Sequence, residues 1–290
     1  MCAAECGRTL LSLVILTYNE ELNLSACLES VRGLPCEIFV VDSGSTDGTA
    51  KIAQDMGCQV VYHVFETQAQ QLNWALEYLP LQGDWILRLD ADERLTPALA
   101  QELSTVLPRL SADITGLYFK RRVYFLGRWM RHGGYYPTWL LRVWRRGCAW
   151  SENRLMDEHM ILRQGQAAFL QHDIVEQNHK GLSVWIERQN RYASREAIAM
   201  LAEVSDNQIP PRLFSTPEAR RRWLKYNVYL RCPPFFRAFV YFLLRFFVQR
   251  GFLDGKEGLI FHFLQGCWYR FLIDAKTYEH RLGPRQGKEM

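Results

Sequence analysis

Leu10-Leu-Ser-Leu-Val-Ile-Leu16 is a near-continuous apolar run that breaks abruptly into Thr17-Tyr-Asn-Glu-Glu21. A strand covered on both faces reads this way, because neither side of its pleat meets water. Leu22, Leu24, Ala26, Leu28 and Val31 then recur as the stripe of a helix, and residues 37–42 form a second apolar run ending in a carboxylate. The small-residue turn Ser43-Gly-Ser-Thr-Asp-Gly48 offers capping groups to a helix starting near Thr49. Gly57 closes that helix, residues 59–64 read as a third strand, 68–79 as a third helix and 85–89 as a fourth strand. Four strands alternating with three helices predict a doubly wound, mostly parallel α/β sheet, whose ligands sit beyond the carboxyl ends of its strands. Three of the four strands end in polar candidates: Thr17, Asn19 and Glu20 after the first, Asp42 after the second, Asp90 and Asp92 after the fourth.

Beyond Pro97 the period changes. A helix is expected over 97–107, and arginine-rich strands over 116–125 and 136–144, with the turn Gly133-Gly-Tyr-Tyr-Pro137 between them. A polar stretch at 150–159 precedes a short strand at 167–170, which leads to His172; a helix follows over 182–204. Three prolines make 205–217 the best candidate linker, so the reading divides the chain into a catalytic domain at 1–204 and a helical region at 205–290.

In that region residues 235–248 are the most hydrophobic of the chain, with Arg237 and Arg245 inside them. A spanning helix needs about 20 apolar residues, so no crossing of a bilayer is expected. Wound as a helix, the segment sets Arg237, Tyr241, Arg245 and Gln249 on one polar stripe; residues 251–258 read as a break and 259–273 as a second such segment. Aromatics with arginines on short amphipathic helices predict an in-plane anchor, over 212–276, on an anionic membrane surface. Packing on the catalytic domain or on another subunit, in a homo-oligomer, is the alternative.

Composition sharpens this picture. With 48% hydrophobic residues the chain builds a sizeable core, and its net charge of +4 conceals nine basic residues against one acidic between Arg212 and Arg250. Wide apolar faces do not track a phosphate backbone, so nucleic acid is not expected as the partner. The eight cysteines form no CxxC pair, which fits reduced thiols and gives zinc no support. The apolar run at 10–16 is too short for a signal peptide, so the expected location is the cytoplasmic face of the inner membrane.

Asp90-Ala-Asp-Glu93 places three carboxylates in four positions at a strand end. Their mutual repulsion would be relieved by Mg²⁺ or Mn²⁺, hard cations that take one or two carboxylates plus substrate phosphates. A solvated acidic turn before the helix at Pro97 is the plainer reading. No GxGxxG follows the first strand and no GxxxxGK[ST] occurs, so an ordinary dinucleotide fold and a P-loop are both disfavoured.

Together, Leu13-Val-Ile-Leu-Thr-Tyr-Asn-Glu-Glu21, Val40-Val-Asp-Ser-Gly-Ser-Thr-Asp-Gly-Thr49 and Leu89-Asp-Ala-Asp-Glu93 resemble, in order and spacing, the family-two glycosyltransferases of GT-A fold. The branch most similar builds bacterial lipopolysaccharide core and other cell-surface polysaccharides. The resemblance implies that Thr17, Asn19 and Glu20 line the nucleotide pocket, that Asp42 lies near base and ribose, and that Asp90 and Asp92 form the DXD signature, with Asp92 on the metal. It further implies inversion in a single displacement, with an acidic pair after the DXD as general base. Asp157-Glu158 occupies that place in the reverse of the family's usual order, and Glu158 is the first choice, Asp157 the second. His172, Lys180 and Arg191 are candidates for the diphosphate or an acceptor. The QxxRW motif of processive members is absent, which favours transfer of one sugar.

The function expected is therefore metal-assisted transfer from a nucleotide-sugar donor, UDP-linked, to a lipid-linked or surface glycan. A nucleotidyltransferase would want a basic, glycine-rich loop where Thr17–Glu21 is acidic. A non-catalytic membrane-bound scaffold of the same fold is the other rival.

Overall fold

The structure is a computed structural model that describes residues 11–153, 159–201 and 217–283. The chain forms two compact units. The first holds the described residues up to Tyr124 and those between Tyr136 and His179; the second holds Phe125–Tyr135 and the described residues from Lys180 on.

In the first unit the expected alternation is present: β1 (Leu11–Thr17), α1 (Leu24–Glu29), β2 (Cys36–Asp42), α2 (Thr49–Asp55), β3 (Gln59–Tyr62), α3 (Gln68–Tyr78) and β4 (Trp85–Asp90). β5 (Glu93–Leu95), α4 (Pro97–Val106) and β6 (Ile114–Phe125) follow, and after the second unit's β7 (Arg128–Trp129) come β8 (Thr138–Arg145), β9 (Ala149–Ser151), β10 (Met160–Leu162) and β11 (Gln166–Gln177). The main sheet runs β3-β2-β1-β4-β8-β6-β11-β5. It is parallel from β3 to β4 and between β6 and β11, while β8 pairs antiparallel with both neighbours and β5 antiparallel with β11. β1 lies inside this order, and its side chains alternate between two cores: Leu11, Leu13 and Ile15 pack with α1 and α4, Val14 with Leu72 and Ala75 of α3. That period-two split buries the sheet on both faces.

Several strands depart from the sequence reading. β5 and the short β7, β9 and β10 are new, and β11 extends over twelve residues where four were expected, with a register shift between Phe169 and Asp173. The polar residues that hide β11 from a hydrophobic template are paired. Asp173 is buried and meets Arg122 Nε at 2.6 Å and Lys120 Nζ at 3.4 Å. His172, expected just past a strand, lies within β11, its ring nitrogen Nδ1 2.8 Å from Glu102 of α4.

The second unit contains α5 (Gly181–Leu201), α6 (Pro217–Asn227), α7 (Phe236–Leu243), α8 (Gly255–Phe261) and α9 (Tyr269–Leu282). π-helical turns continue α7 through Leu244–Val248 and join α8 to α9 through His262–Trp268. The expected break at 251–258 is shorter in the structure, a 3-10 turn at Gly251–Asp254, after which the helix resumes at Gly255. Glycine permits this, since a Cβ at Gly258 would stand 2.6 Å from that of Asp254. Among the described residues no helix is long and apolar enough to cross a membrane.

Candidate active site

The parallel register sets Thr17 opposite Asp42 and Leu16 opposite Asp90, so the three strand ends that carry candidates lie side by side. The loops that leave them are laced together. Asn19 adopts a left-handed conformation (φ 53°), which asparagine tolerates better than most residues. Its backbone N–H donates to Ser45 Oγ at 2.8 Å, and its side-chain oxygen accepts from Thr46 N at 2.8 Å. Glu20 N donates to Thr49 Oγ1 at 2.7 Å, while the Glu20 carboxylate accepts from Asn23 at 2.8 Å. Asp42 is buried and accepts from Thr17 Oγ1 at 3.0 Å and from the backbone of Gly44 and Ser45 at 3.0 and 2.8 Å. These side chains shape the rim of the strand ends by holding one another.

α3 ties the rim together. Gln68 donates to Asp90 Oδ1 at 3.3 Å and Gln71 to Ser43 Oγ at 2.6 Å, bridging the loops after β4 and β2. Asn73 exchanges two 2.9 Å hydrogen bonds with the backbone of Ser151 in β9. Sequence reasoning missed all three amides. Their only signal is polarity at helix positions that face inward.

The acidic cluster differs from its expected form. The repulsion assigned to a cation is met in part by arginines: Arg142 of β8 reaches Asp90 Oδ2 at 2.9 Å and Glu93 Oε1 at 2.5 Å, and Arg88 reaches Asp90 Oδ1 at 3.2 Å. Arg88 stands two residues before Asp90 on β4, hence on the same face of the strand, a spacing that sequence alone exposes. Burial works against ionisation of Asp90, but the guanidinium charges of Arg142 and Arg88 prevail and hold its carboxyl well below the usual range. Burial pushes the fully enclosed Glu93 up to about 7 despite Arg142, and Glu93 also accepts from Asp90 N at 2.9 Å. The charges converge on Cys27, whose thiol is raised by burial and then by Glu93, Asp92 and Asp90. Asp92 Oδ2 accepts from the Asn178 amide at 2.9 Å, and His179 N donates to Asn23 at 2.9 Å, which fixes the end of β11 against the first loop.

The donor set suits a hard cation. Asp90 is already countered by two guanidiniums, and Asp92 is a carboxylate oriented by an amide, as metal-ligating carboxylates are. Among the described residues no three His, Cys, Asp or Glu side chains converge as an all-protein metal cage. Magnesium-type sites instead combine one or two carboxylates with substrate phosphates.

Asp157 and Glu158 lie outside the described residues. Their flanks are joined: β9 pairs with β10 through Ser151 and Met160, and Glu152 N donates to His159 O at 2.9 Å. Lys180 and Arg191 belong to the second unit, with Arg191 exposed on α5.

A mostly parallel sheet of this order, with its polar strand ends side by side, has the GT-A type of architecture. The sequence pattern described as Glycosyl transferase family 2 matches residues 12–177, and the chain belongs to that family. A lipopolysaccharide core biosynthesis glycosyltransferase, LpsC of Rhizobium meliloti, is 31% identical over 287 residues, covering 95% of this chain and 94% of that protein. An uncharacterized glycosyltransferase of Rickettsia conorii is 35% identical over 103 residues, 36% of each chain. Among solved structures, a mannosyltransferase of Pyrobaculum calidifontis in complex with GDP-Man and Mn²⁺ superposes with a TM-score of 0.50 at 15% identity, covering 97% of this chain and 89% of that one. Family membership displaces the nucleotidyltransferase alternative: the protein is a nucleotide-sugar glycosyltransferase.

Proposed function

We propose that this enzyme moves a single sugar, with inversion, from a UDP-linked donor to a lipid-linked or cell-surface glycan acceptor during lipopolysaccharide assembly at the cytoplasmic membrane face. The observation that carries the reading is the meeting of Thr17, Asp42 and Asp90 at neighbouring strand ends, cross-braced by Gln68 and Gln71. The near full-length similarity to a lipopolysaccharide core glycosyltransferase supports the acceptor class. Residues 1–204 supply the transfer chemistry in this reading, and 205–290 the membrane association.

Asp92, with Asp90 behind it, would hold Mg²⁺ or Mn²⁺ against the donor diphosphate. A cation bound there supplies positive charge to a leaving nucleoside diphosphate. Arg88 and Arg142 keep Asp90 ionised and in place, and Asn178 orients Asp92. Glu158, with Asp157 as second choice, removes the proton of the acceptor hydroxyl. The acceptor oxygen then bonds to the anomeric carbon as the bond to the diphosphate breaks, its electron pair leaving with the nucleotide. Support for this base is its position after the DXD and the hydrogen-bonded flanks Glu152 and His159.

A thermal-shift panel of nucleotide sugars, with and without Mn²⁺, tests the proposal, because a ligand that binds only the native state raises its stability. One donor is expected to raise Tm strongly in the presence of Mn²⁺ and weakly without it. A flat response across the panel would overturn the reading.

A further inference from the structure

α7 and its continuation are arranged opposite to the expected amphipathic helix: Arg237 and Arg245 turn inward and the large hydrophobes outward. Arg237 is buried, ion-paired with Asp274, and its guanidinium lies 5.0 Å from the Tyr229 ring. Arg245 stands 4.6 Å from the Tyr135 ring and 4.9 Å from Tyr241, and Arg270 lies 3.7 Å from the Tyr241 ring. The stripe that the sequence assigns to lipid headgroups is thus the internal framework of the bundle. Its counterpart is an exposed apolar face: Phe236 (62% exposed), Leu243, Phe247 (57%) and Val248 (75%) from α7 and its continuation, Phe252 from the 3-10 turn and Phe263 beyond α8.

The charges around this face select its partner. Between residues 233 and 263 the exposed charged side chains are Arg250 and Lys256; Asp254 is buried, and Glu257 is half-buried beside Arg128 at 3.8 Å. A second copy meeting the face symmetrically would bring this cationic rim against itself. An anionic lipid surface instead supplies apolar depth for the aromatics and phosphate oxygens for the two cations.

We infer that α7, its π-helical continuation and the Gly251–Phe263 stretch form a docking surface that seats Phe236, Leu243, Phe247, Val248, Phe252 and Phe263 in an anionic leaflet, with Arg250 and Lys256 on its phosphates, while Arg237 and Arg245 take no part in lipid contact. The inference rests on the proposed membrane location and replaces the arginine stripe with an aromatic face.

The test is flotation of the full chain with phosphatidylcholine vesicles, with and without phosphatidylglycerol, alongside donor hydrolysis in vesicle-free buffer. The native protein is expected to float with the anionic vesicles. The double substitution Phe247→Glu with Val248→Glu, at exposed positions, is expected to lower binding at least tenfold with unchanged Tm. Removing both rim cations, Arg250→Ala with Lys256→Ala, is expected to weaken anionic binding about thirty-fold and leave binding to neutral vesicles unaltered. The inference is overturned if the Phe247/Val248 variant floats like the native protein. It is equally overturned if the native protein ignores vesicles and sediments as a dimer that the same substitutions dissociate. Intact hydrolysis without flotation would remove the docking surface alone; flotation without hydrolysis would remove the catalytic reading alone.

Discussion

Arg142 joins the buried Glu93 to the half-buried Asp90, two acids that otherwise repel each other. Its guanidinium bridges Asp90 and Glu93, and both it and Glu93 are shielded from water. Arg142→Met would strand these carboxylates, and breaking a buried ion pair from one side costs about 3–5 kcal/mol. Urea unfolding should show a loss of that order, and a loss near zero would mean that Arg88 alone suffices. A second residue-level prediction concerns Gly133. Its φ of 67° is costly for other residues, and a Cβ there would stand 2.0 Å from His262 Cε1. Gly133→Ala should therefore lower Tm by many degrees, since neither the backbone nor the buried ring can give way.

At the scale of elements, α3 fastens the end of β4, the loop after β2 and β9 at once, and Asn73 is its most exacting contact. Asn73→Ala deletes both hydrogen bonds to Ser151 and leaves buried backbone groups unpaired, a cost of about 1–3 kcal/mol. Because β9 leads toward Asp157 and Glu158, the transfer rate should fall by more than the stability loss explains; equal activity per folded molecule would contradict that role. The alternation of β1 to β4 with α1 to α3 was legible because each element follows one hydrophobic period. The inward amides Gln71 and Asn73 were not, since their partners come from other loops, 28 and 78 residues distant. β11 hid for the same reason: its polar side chains are satisfied by Arg122, Lys120 and Glu102, which no local window contains. The C-terminal helices had the expected period, but the arginine stripe of α7 turns inward. An Arg–Tyr framework can be buried when rings and Asp274 receive the charge, and periodicity alone does not say which stripe turns inward.

For the whole molecule, His262 couples the second unit to pH. It is buried, faces Asp254, Arg245 and His132, and burial lowers its pKa to about 4 in spite of the Asp254 charge. The unfolded chain takes up this proton near pH 6.5 and the folded chain only near 4, so the stability is fully present above 6.5 and declines as pH falls through that window. The decline amounts to at most about 3 kcal/mol by pH 4. Melting curves should show Tm falling between pH 6.5 and 4, with a shallower fall in His262→Phe; parallel declines would place the proton elsewhere. In the proposed reading, catalysis in the first unit depends on a different charge balance, in which Arg88 and Arg142 counter Asp90 from within the protein and Asp92 would hold the cation against the donor. Initial rates of nucleotide-sugar hydrolysis across a Mn²⁺ titration, in the native enzyme and in Asp92→Asn, test that balance most directly. The account predicts metal-dependent turnover in the native enzyme and its loss in the variant, with Tm and circular dichroism unchanged. A variant that hydrolyses donor at the native rate and with the native metal dependence would contradict it.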